Sequence, residues 1–332
     1  MIILITTFNR TEQLALLLRS IDAQKEEIES ILVVLRKTDE KTRIFLESCV
    51  LLNQKLKISL IEEPGAVKAL AEGIKLCYGK DVLILDDDIL LPADYLTKLR
   101  NYSNLQPTWI IAGTNFVVHN MLNSLEEIDS QIQKLFEIRH LFSKSKKFIG
   151  KIRWFGKFHG NFEFPIHSPP HVGDHFQGCN VYIPKIDSLP DKYFTGDSVF
   201  YEIEWSIRMR TSGRNILVVP ELAVLHVQPE NQSRITNRKN NSLKMILQNS
   251  RNLSYALNLH VTPTKKIIQT LWFFFIGQKP VFGLLRYCYF FFREPKKSIN
   301  DFFIFFPSIL GWFLGLIDTY RSKIVISGIN ND

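Results

Sequence analysis

An α/β fold with a mixed, mostly parallel sheet flanked by helices is predicted by three observations. Short apolar runs alternate with segments of helical periodicity through residue 91, the order that builds right-handed βαβ units. The last of these runs, Val82-Leu83-Ile84-Leu85, has no polar alternation, as befits a parallel strand covered on both faces. It runs straight into three carboxylates, Asp86-Asp87-Asp88, and open α/β sheets bind ligands at the carboxyl ends of their strands. Unpaired carboxylates are costly to bury. The triplet is therefore either an acidic turn at a strand end or a site where hard oxygen ligands hold a divalent cation.

The elements follow in order. Ile2 to Ile5 is a first strand, followed by Thr6-Thr7-Phe8-Asn9-Arg10-Thr11. Thr11 is the expected N-cap of a helix with Leu14, Leu17, Leu18 and Ile21 on one face. Ser30 to Leu35 is a second strand, and Lys41 to Asn53 has helical spacing. Lys57 to Ile61 is a third strand, and the helix Ala66 to Tyr78 leads into the strand that ends on the carboxylates. Neither GxGxxG nor GxxxxGK[ST] is present, which argues against a dinucleotide fold and a P-loop. Trp109 to Gly113 reads as another strand. Leu122 to Phe142 reads as a helix, with Leu125, Ile128, Ile132, Leu135 and Phe136 in its apolar set. A basic, aromatic stretch from Lys144 to Phe158 leads into a loop bearing His159, His167, His171 and His175. Their spacing fits no tight ligand pattern, and a long irregular loop of this kind suits acceptor binding or a lid.

Length and charge set further bounds. The 332 residues suffice for one large domain with an appendage or for two domains. A formal charge of +8 points to an anionic partner. Between Asn231 and Asn300 there are twelve Lys or Arg against one acidic residue, Glu294, in the region richest in aromatic clusters. That combination suits a membrane interface, whereas no nucleic-acid-binding motif accompanies it. Cys49, Cys77, Cys179 and Cys288 have no CxxC spacing, which argues against zinc and a disulfide framework and for a reducing compartment. The opening Met1 to Ile5 is too short for a secretory h-region. No run of twenty uninterrupted apolar residues occurs, so a conventional membrane span is not expected. Three C-terminal runs, Ile267 to Ile276, Val281 to Phe292 and Phe302 to Ile317, are divided by Lys279-Pro280 and by Arg293 to Lys297. They read as helices lying in the membrane plane, or as a helical subdomain packed on the first part of the chain or at a dimer interface.

Several of these segments, taken together, resemble the inverting family 2 glycosyltransferases of GT-A fold. The strand ending in Thr6-Thr7-Phe8-Asn9-Arg10 matches the family's T-x-N-R, and Asp86-Asp87-Asp88 matches its DxD. Gln177 to Pro184, with Gly178 and Asn180, resembles the G-x-N strand at the floor of the donor pocket. Tyr201-Glu202-Ile203-Glu204-Trp205-Ser206-Ile207-Arg208 resembles the EDxDLxLR helix. The block from Gly213 to His226 matches G-x-x-[IL]-x-x-[VI]-P-x-[AL]-x-[VI]-x-H. The resemblance spans residues 1–227 and implies a Rossmann-like GT-A catalytic domain over 1–230, leaving 231–332 as a basic, aromatic, helical membrane-associating region. It implies contacts to the nucleotide-sugar from Thr6, Phe8, Asn9, Arg10, Asp86, Asn180 and Arg208, with Lys68 as a further cation. Asp87 joins that set, although strand alternation turns it to the other face. Asp88 and His226 are the implied ligands of Mn²⁺ or Mg²⁺. Glu202 is the implied catalytic base and Glu204 its alternate. Two departures stand out. Val33-Val34-Leu35-Arg36-Lys37-Thr38-Asp39 lacks the acid that reads the base directly after the second strand, and Ala69-Leu70-Ala71-Glu72-Gly73 lacks the family's Asn.

The expected function is metal-assisted inverting transfer of a sugar from a nucleotide-sugar donor to a lipid-linked or glycan acceptor. The expected place is the cytoplasmic face of the cell membrane, peripheral or monotopic, with no nucleic acid as partner. The alternative is a catalytically degenerate nucleotide-sugar-binding or scaffold protein of the same fold.

Overall fold

A nine-stranded sheet carries the first part of the chain in the computed structural model, which describes residues 1–49, 55–118, 149–160, 168–196, 198–227, 243–278, 280–293 and 295–329. Its first strands are β1 (Ile2–Thr7), β2 (Ser30–Arg36), β3 (Leu56–Ile61) and β4 (Val82–Asp86), all mutually parallel. Then come β5 (Ile89–Leu90), β6 (Ile110–Val118), β7 (His171–Gly173), β8 (Asn180–Ile183) and β9 (Ile216–Val227). The order across the sheet is β3-β2-β1-β4-β8-β6-β9-β5, with β7 also on β9. β8 runs antiparallel to both β4 and β6, so the sheet is mixed. Crossovers α1 (Thr11–Asp22), α2 (Glu40–Ser48) and α3 (Ala66–Leu76) link the parallel strands, and α4 (Tyr95–Leu105) follows β5. Leu14, Leu17, Leu18 and Ile21 of α1 seal one sheet face over Ile3, Ile5, Val33, Leu83 and Leu85. On α3, Gly73 lies where an added Cβ would come 2.5 Å from Leu4 Cδ1, so a side chain there would have to push Leu4 aside.

Several boundaries shift from expectation. The N-cap of α1 is Arg10 rather than Thr11, whose hydroxyl instead meets that of Thr42 at 2.9 Å. α2 begins at Glu40, because the Asp39 carboxylate caps it by accepting from the Thr42 N–H at 3.2 Å. β6 continues to Val118, beyond the expected Gly113. The helix expected over Leu122 to Phe142 lies outside the described residues, as do His167 and the start of the basic stretch from Lys144.

β9 is not one continuous ladder. Its pairing with β6 jumps from Ala112↔Val218 to Thr114↔Ala223, so Val219 to Leu222 bulge out of register. Pro220, which has no N–H to give a ladder, sits inside that bulge. The Thr114 hydroxyl binds the Pro220 carbonyl at 2.9 Å, and the Asn180 amide binds the Leu222 carbonyl at 3.0 Å. An added Cβ on Gly113 would lie 2.2 Å from that same Leu222 oxygen.

The chain divides into two compact units. The first holds the sheet, in Met1–Lys151, His159–Asp197 and Met209–Ile235. The second gathers Ile152–Phe158 and Ser198–Arg208 with Thr236–Asp332. In the second lie α6 (Leu243–Asn258), α7 (Pro263–Phe275), a small hairpin of β10 (Gly277–Gln278) and β11 (Val281–Phe282), α8 (Leu284–Arg293) and α9 (Pro295–Ile329). The three apolar runs are thus helical at their centres, and the third extends in both directions. Contrary to expectation, Phe303–Ser322 is long and apolar enough to cross a membrane by length and composition, with a mean hydropathy of 1.5. Counting uninterrupted apolar residues missed it because Ser308, Asp318 and Thr319 break the run while lying buried on one side of the helix.

In the first unit His175 is buried at 2 % exposure, and burial pushes its pKa down to about 4. A neutral buried His binds fewer protons than the unfolded chain between about pH 6.5 and 4. Stability therefore falls as pH drops through that window, by roughly 3 kcal/mol from this residue. Urea unfolding midpoints at pH 7 and pH 4.5 check this. His175→Leu is expected to flatten the pH dependence, and an unchanged difference between the two pH values would refute the assignment.

Candidate active site

The carboxyl end of β4 organises the site. β1 and β4 run side by side with Thr6 opposite Asp86, so the residues that follow each strand emerge at one edge of the sheet. The chain turns over Asp87 and Asp88 and returns as β5, which pairs antiparallel with β9, Ile89 opposite His226. A backbone bond from the Val227 N–H to the Asp88 carbonyl, 2.8 Å, closes the turn. That register sets His226 against Asp88, Nε2 to Oδ1 at 2.7 Å. Arg10, from the loop after β1, reaches Asp87 Oδ1 and Asp88 Oδ2 with one nitrogen, both at 2.8 Å. The Thr7 hydroxyl donates to Asp87 Oδ2 at 2.7 Å. Asp87 is thereby held as the buried strut between the two loops.

Electrostatics separates the carboxylates. Burial pushes the Asp87 carboxyl up to about 6, aided by the adjacent Asp88 charge and opposed by Arg10 and Thr7. Burial also works to raise Asp88, but the bond and charge of His226 and the Arg10 charge outweigh it and hold Asp88 below the usual range. His226 shows the complement. Burial works to lower it, and the bond and charge of Asp88, with Asp86 beyond, raise it. Arg10 is likewise raised, since Asp87, Asp88 and Asp86 outweigh the effect of burial. Among the described residues, Asp86, Asp88 and His226 each offer a ligand atom, all within 4.8 Å of one another. Two hard carboxylates and one imidazole suit Mn²⁺ or Mg²⁺. Ligands about 2.1 Å from one such ion lie about 3 to 4 Å apart, so the trio fits after small closure.

The remaining expected donor residues fall into two groups. Phe8 stands partly exposed beneath the Arg36 guanidinium, 4.1 Å from the ring centroid. Asn9 adopts φ 55°, and its N–H binds Asp39 Oδ2 at 2.6 Å. Asp39 was not singled out by the sequence as a site residue. It lies buried just past β2, and its two oxygens tie the Asn9 loop to the start of α2. Lys68, in the first turn of α3, pairs with Glu63 at 3.2 Å on the surface. Asn180 is buried, accepting from the Tyr95 hydroxyl while its amide donates to the Thr114 and Leu222 carbonyls at 3.1 and 3.0 Å. Its side chain clamps the bulge of β9.

Glu202 and Glu204 lie at the start of α5 (Tyr201–Thr211), within the segment that belongs to the second unit. Phe200, the residue just before it, has φ 73°, a left-handed conformation costly for a bulky side chain. Glu204 is fully buried. Its Oε1 receives Arg208 Nε at 2.8 Å and His260 Nε2 at 2.9 Å, and its Oε2 receives Arg208 NH2 at 3.2 Å. Burial works to raise its pKa, and those partners outweigh it and lower it. Glu202 is half-buried one position to the other side of Ile203. The two glutamates are thus unlike: Glu204 is a fully buried anchor for Arg208 and His260, whereas Glu202 is half-buried. His260 sits 56 residues away in a sequence with no motif around it, so nothing local could have announced it.

Residues 2–162 match the family model described as Glycosyl transferase family 2. Among solved structures, the chain is similar to S. aureus TarS 1-349 in complex with UDP-GlcNAc, at 15 % identity and TM-score 0.51, over 96 % of this chain and 80 % of that one. It is also similar to GalNAc-T7 with UDP, GalNAc and Mn²⁺, at 14 % identity and TM-score 0.53, over 90 % of this chain and 57 % of that one. In a further crystal structure of S. aureus TarS, the chain spans 42 % of the length. No curated protein matches the chain by sequence. At these identities the structural likeness establishes the GT-A fold.

Proposed function

With a glycosyl transferase family 2 domain over residues 2–162 as premise, we propose that the protein transfers a sugar from a nucleotide-sugar donor to a hydroxyl of a lipid-linked or glycan acceptor, with inversion, at the cytoplasmic face of a membrane. The observation that carries this reading is the Asp86, Asp88 and His226 cluster at the carboxyl end of β4. A divalent cation, Mn²⁺ or Mg²⁺, would supply charge stabilisation for the departing diphosphate. Asp88 and His226 would hold it, with Asp86 toward the ribose or the same ion. Arg10 keeps Asp87 and Asp88 in place and leaves Asp88 ionised. Glu202 takes the proton from the acceptor hydroxyl as general base. Glu204 holds the Arg208 and His260 side chains and so fixes the helix that presents Glu202. Support for a nucleotide-sugar donor comes from the UDP and UDP-sugar held by the similar structures.

Thermal-shift measurement against UDP, GDP, ADP, CDP and TDP, each with and without Mn²⁺, tests the donor side. One nucleoside diphosphate is expected to raise the melting temperature, and only with the metal. Silence across the whole panel would count against the proposal and favour a degenerate scaffold of the same fold, a reading that rests on the Arg36-Lys37 pair standing where the family has its base-reading acid.

A further inference from the structure

The polarity of α9 is inverted. Its exposed side carries Phe303, Phe306, Leu310, Phe313, Ile317 and Tyr320, spaced by three and four residues and each 43–58 % exposed. Its buried side carries Ser308, Gly311, Gly315, Asp318 and Thr319, with Phe305 and Trp312 as the large apolar members. A helix packed in water does the opposite, turning its large apolar residues inward. Lipid removes that driving force, so helices surrounded by acyl chains meet through small and polar residues.

The contacts of the buried side have that character. An added Cβ on Gly311 would lie 2.3 Å from the Leu247 carbonyl oxygen, and one on Gly315 would lie 2.3 Å from that of Arg251. The two glycines, four residues apart, face Ser250 and Ser254 of α6, also four apart. Asp318 accepts two bonds from Arg251, at 2.6 and 3.1 Å. Against α7, the Trp312 indole N–H meets the Thr270 hydroxyl at 3.1 Å, and Lys266 donates to the Thr319 hydroxyl at 3.0 Å. On α7 itself Ile267, Leu271 and Phe275 are exposed, four residues apart.

Spanning is a poor fit. The face from Phe303 to Tyr320 is about 26 Å long at 1.5 Å per residue, which approaches the thickness of a hydrocarbon core. Yet α9 is locked along α6 from Gly311 to Asp318, and α6 bears Lys244, Gln248, Asn249 and Arg251 in sixteen residues. Each Lys or Arg at the bilayer centre opposes insertion. α9 cannot cross without drawing α6 in beside it.

We propose that α9 lies in the plane of one leaflet with its Phe303-to-Tyr320 face among the acyl chains of an anionic bilayer, and that α6 stays on the aqueous side. This rests on and sharpens the membrane placement above. The charges suit that occupant: no Lys, Arg, Asp or Glu falls between Phe302 and Ile317; Lys296 and Lys297 precede the face and outnumber Asp301, and Arg321 and Lys323 follow it, Asp318 being paired with Arg251. Tyr320 and Arg321 at its end fit the headgroup level. The second unit then also carries the acceptor-activating Glu202, since Glu204 is bonded to His260 and the Asn252 amide reaches the Val199 carbonyl at 3.4 Å. A hydroxyl borne by a lipid is the acceptor this arrangement favours.

The test uses the full chain with Cys288→Ser, so that an environment-sensitive dye attaches at Leu310→Cys, Phe313→Cys or Ile317→Cys, with Gln248→Cys on α6 as the aqueous control. Vesicles of phosphatidylcholine with phosphatidylglycerol are expected to blue-shift the three α9 labels and leave the α6 label unchanged. Phosphatidylcholine alone is expected to bind about tenfold or more weakly. A label that stays aqueous on α9 overturns the proposal, as does lipid burial of the α6 label. So does a blue shift without lipid in a chain that sediments as a dimer, because a second copy then covers the face. The triple variant Leu310→Gln/Phe313→Gln/Ile317→Gln should lose flotation with vesicles and keep its far-UV dichroism and its nucleoside diphosphate shift. Because neither readout requires turnover, failure here is separable from failure of the glycosyl-transfer reading.

Discussion

Asp88→Asn is expected to lower the proposed sugar transfer by about three orders of magnitude and to leave the melting temperature close to that of the parent. The size follows from the loss of a cation ligand, since a bound metal stabilises transition-state charge by several kcal/mol and each 1.36 kcal/mol is tenfold in rate. The fold survives because the amide keeps an oxygen for Arg10, which reaches both Asp87 and Asp88 at 2.8 Å, and keeps the shape of the turn closed by Val227. The Mn²⁺-dependent nucleoside diphosphate shift should vanish with the activity. Transfer within about threefold of the parent at saturating donor and Mn²⁺ would sink the metal-site assignment.

The second large effect separates the two glutamates. Glu202→Gln is expected to reduce turnover by about 10²- to 10⁴-fold, the usual worth of a positioned general base, while retaining the metal-dependent nucleotide shift. Glu204→Gln acts on stability instead. Its carboxylate is buried between Arg208 and His260, and breaking such a pair by removing one charge costs about 3 to 5 kcal/mol. The pH behaviour identifies it. Glu204 has a folded pKa below its ordinary value, so its contribution is present above the unfolded pKa of glutamate and is lost as pH falls through the folded one. The Gln variant should lack that acid-side loss. If instead Glu204→Gln kills turnover at full stability while Glu202→Gln remains active, the roles are reversed.

The first half of the fold was legible because buried parallel strands announce themselves as unbroken apolar runs, Ile2 to Ile5 and Val82 to Leu85 above all. The meeting of Asp88 with His226 was legible only through motif resemblance. No periodicity says that a residue 138 positions downstream will face Ile89 across β5 and β9. Asp39 was passed over because an acid four residues past a strand looks like an ordinary loop residue, and only burial against the Asn9 N–H reveals its work. The full length of α9 was hidden in the sequence for a different reason. An interruption such as Asp318 counts against a long apolar helix in sequence, yet in three dimensions Arg251 neutralises it on the side turned away from solvent.

The bulge of β9 makes the position of His226 a matter of parity. Val219 to Leu222 lie upstream of the ladder that sets His226 across from Ile89. Adjacent residues of a strand point to opposite faces, so a slip of one turns every later side chain over. A change of side chain in the bulge leaves that count alone. Loss or gain of a single residue there, if passed down the strand, would bring Leu225 or Val227 to the place of His226 and give the carboxylates an alkyl group to face. The length of a four-residue irregularity, rather than its chemistry, is what keeps an imidazole beside Asp88.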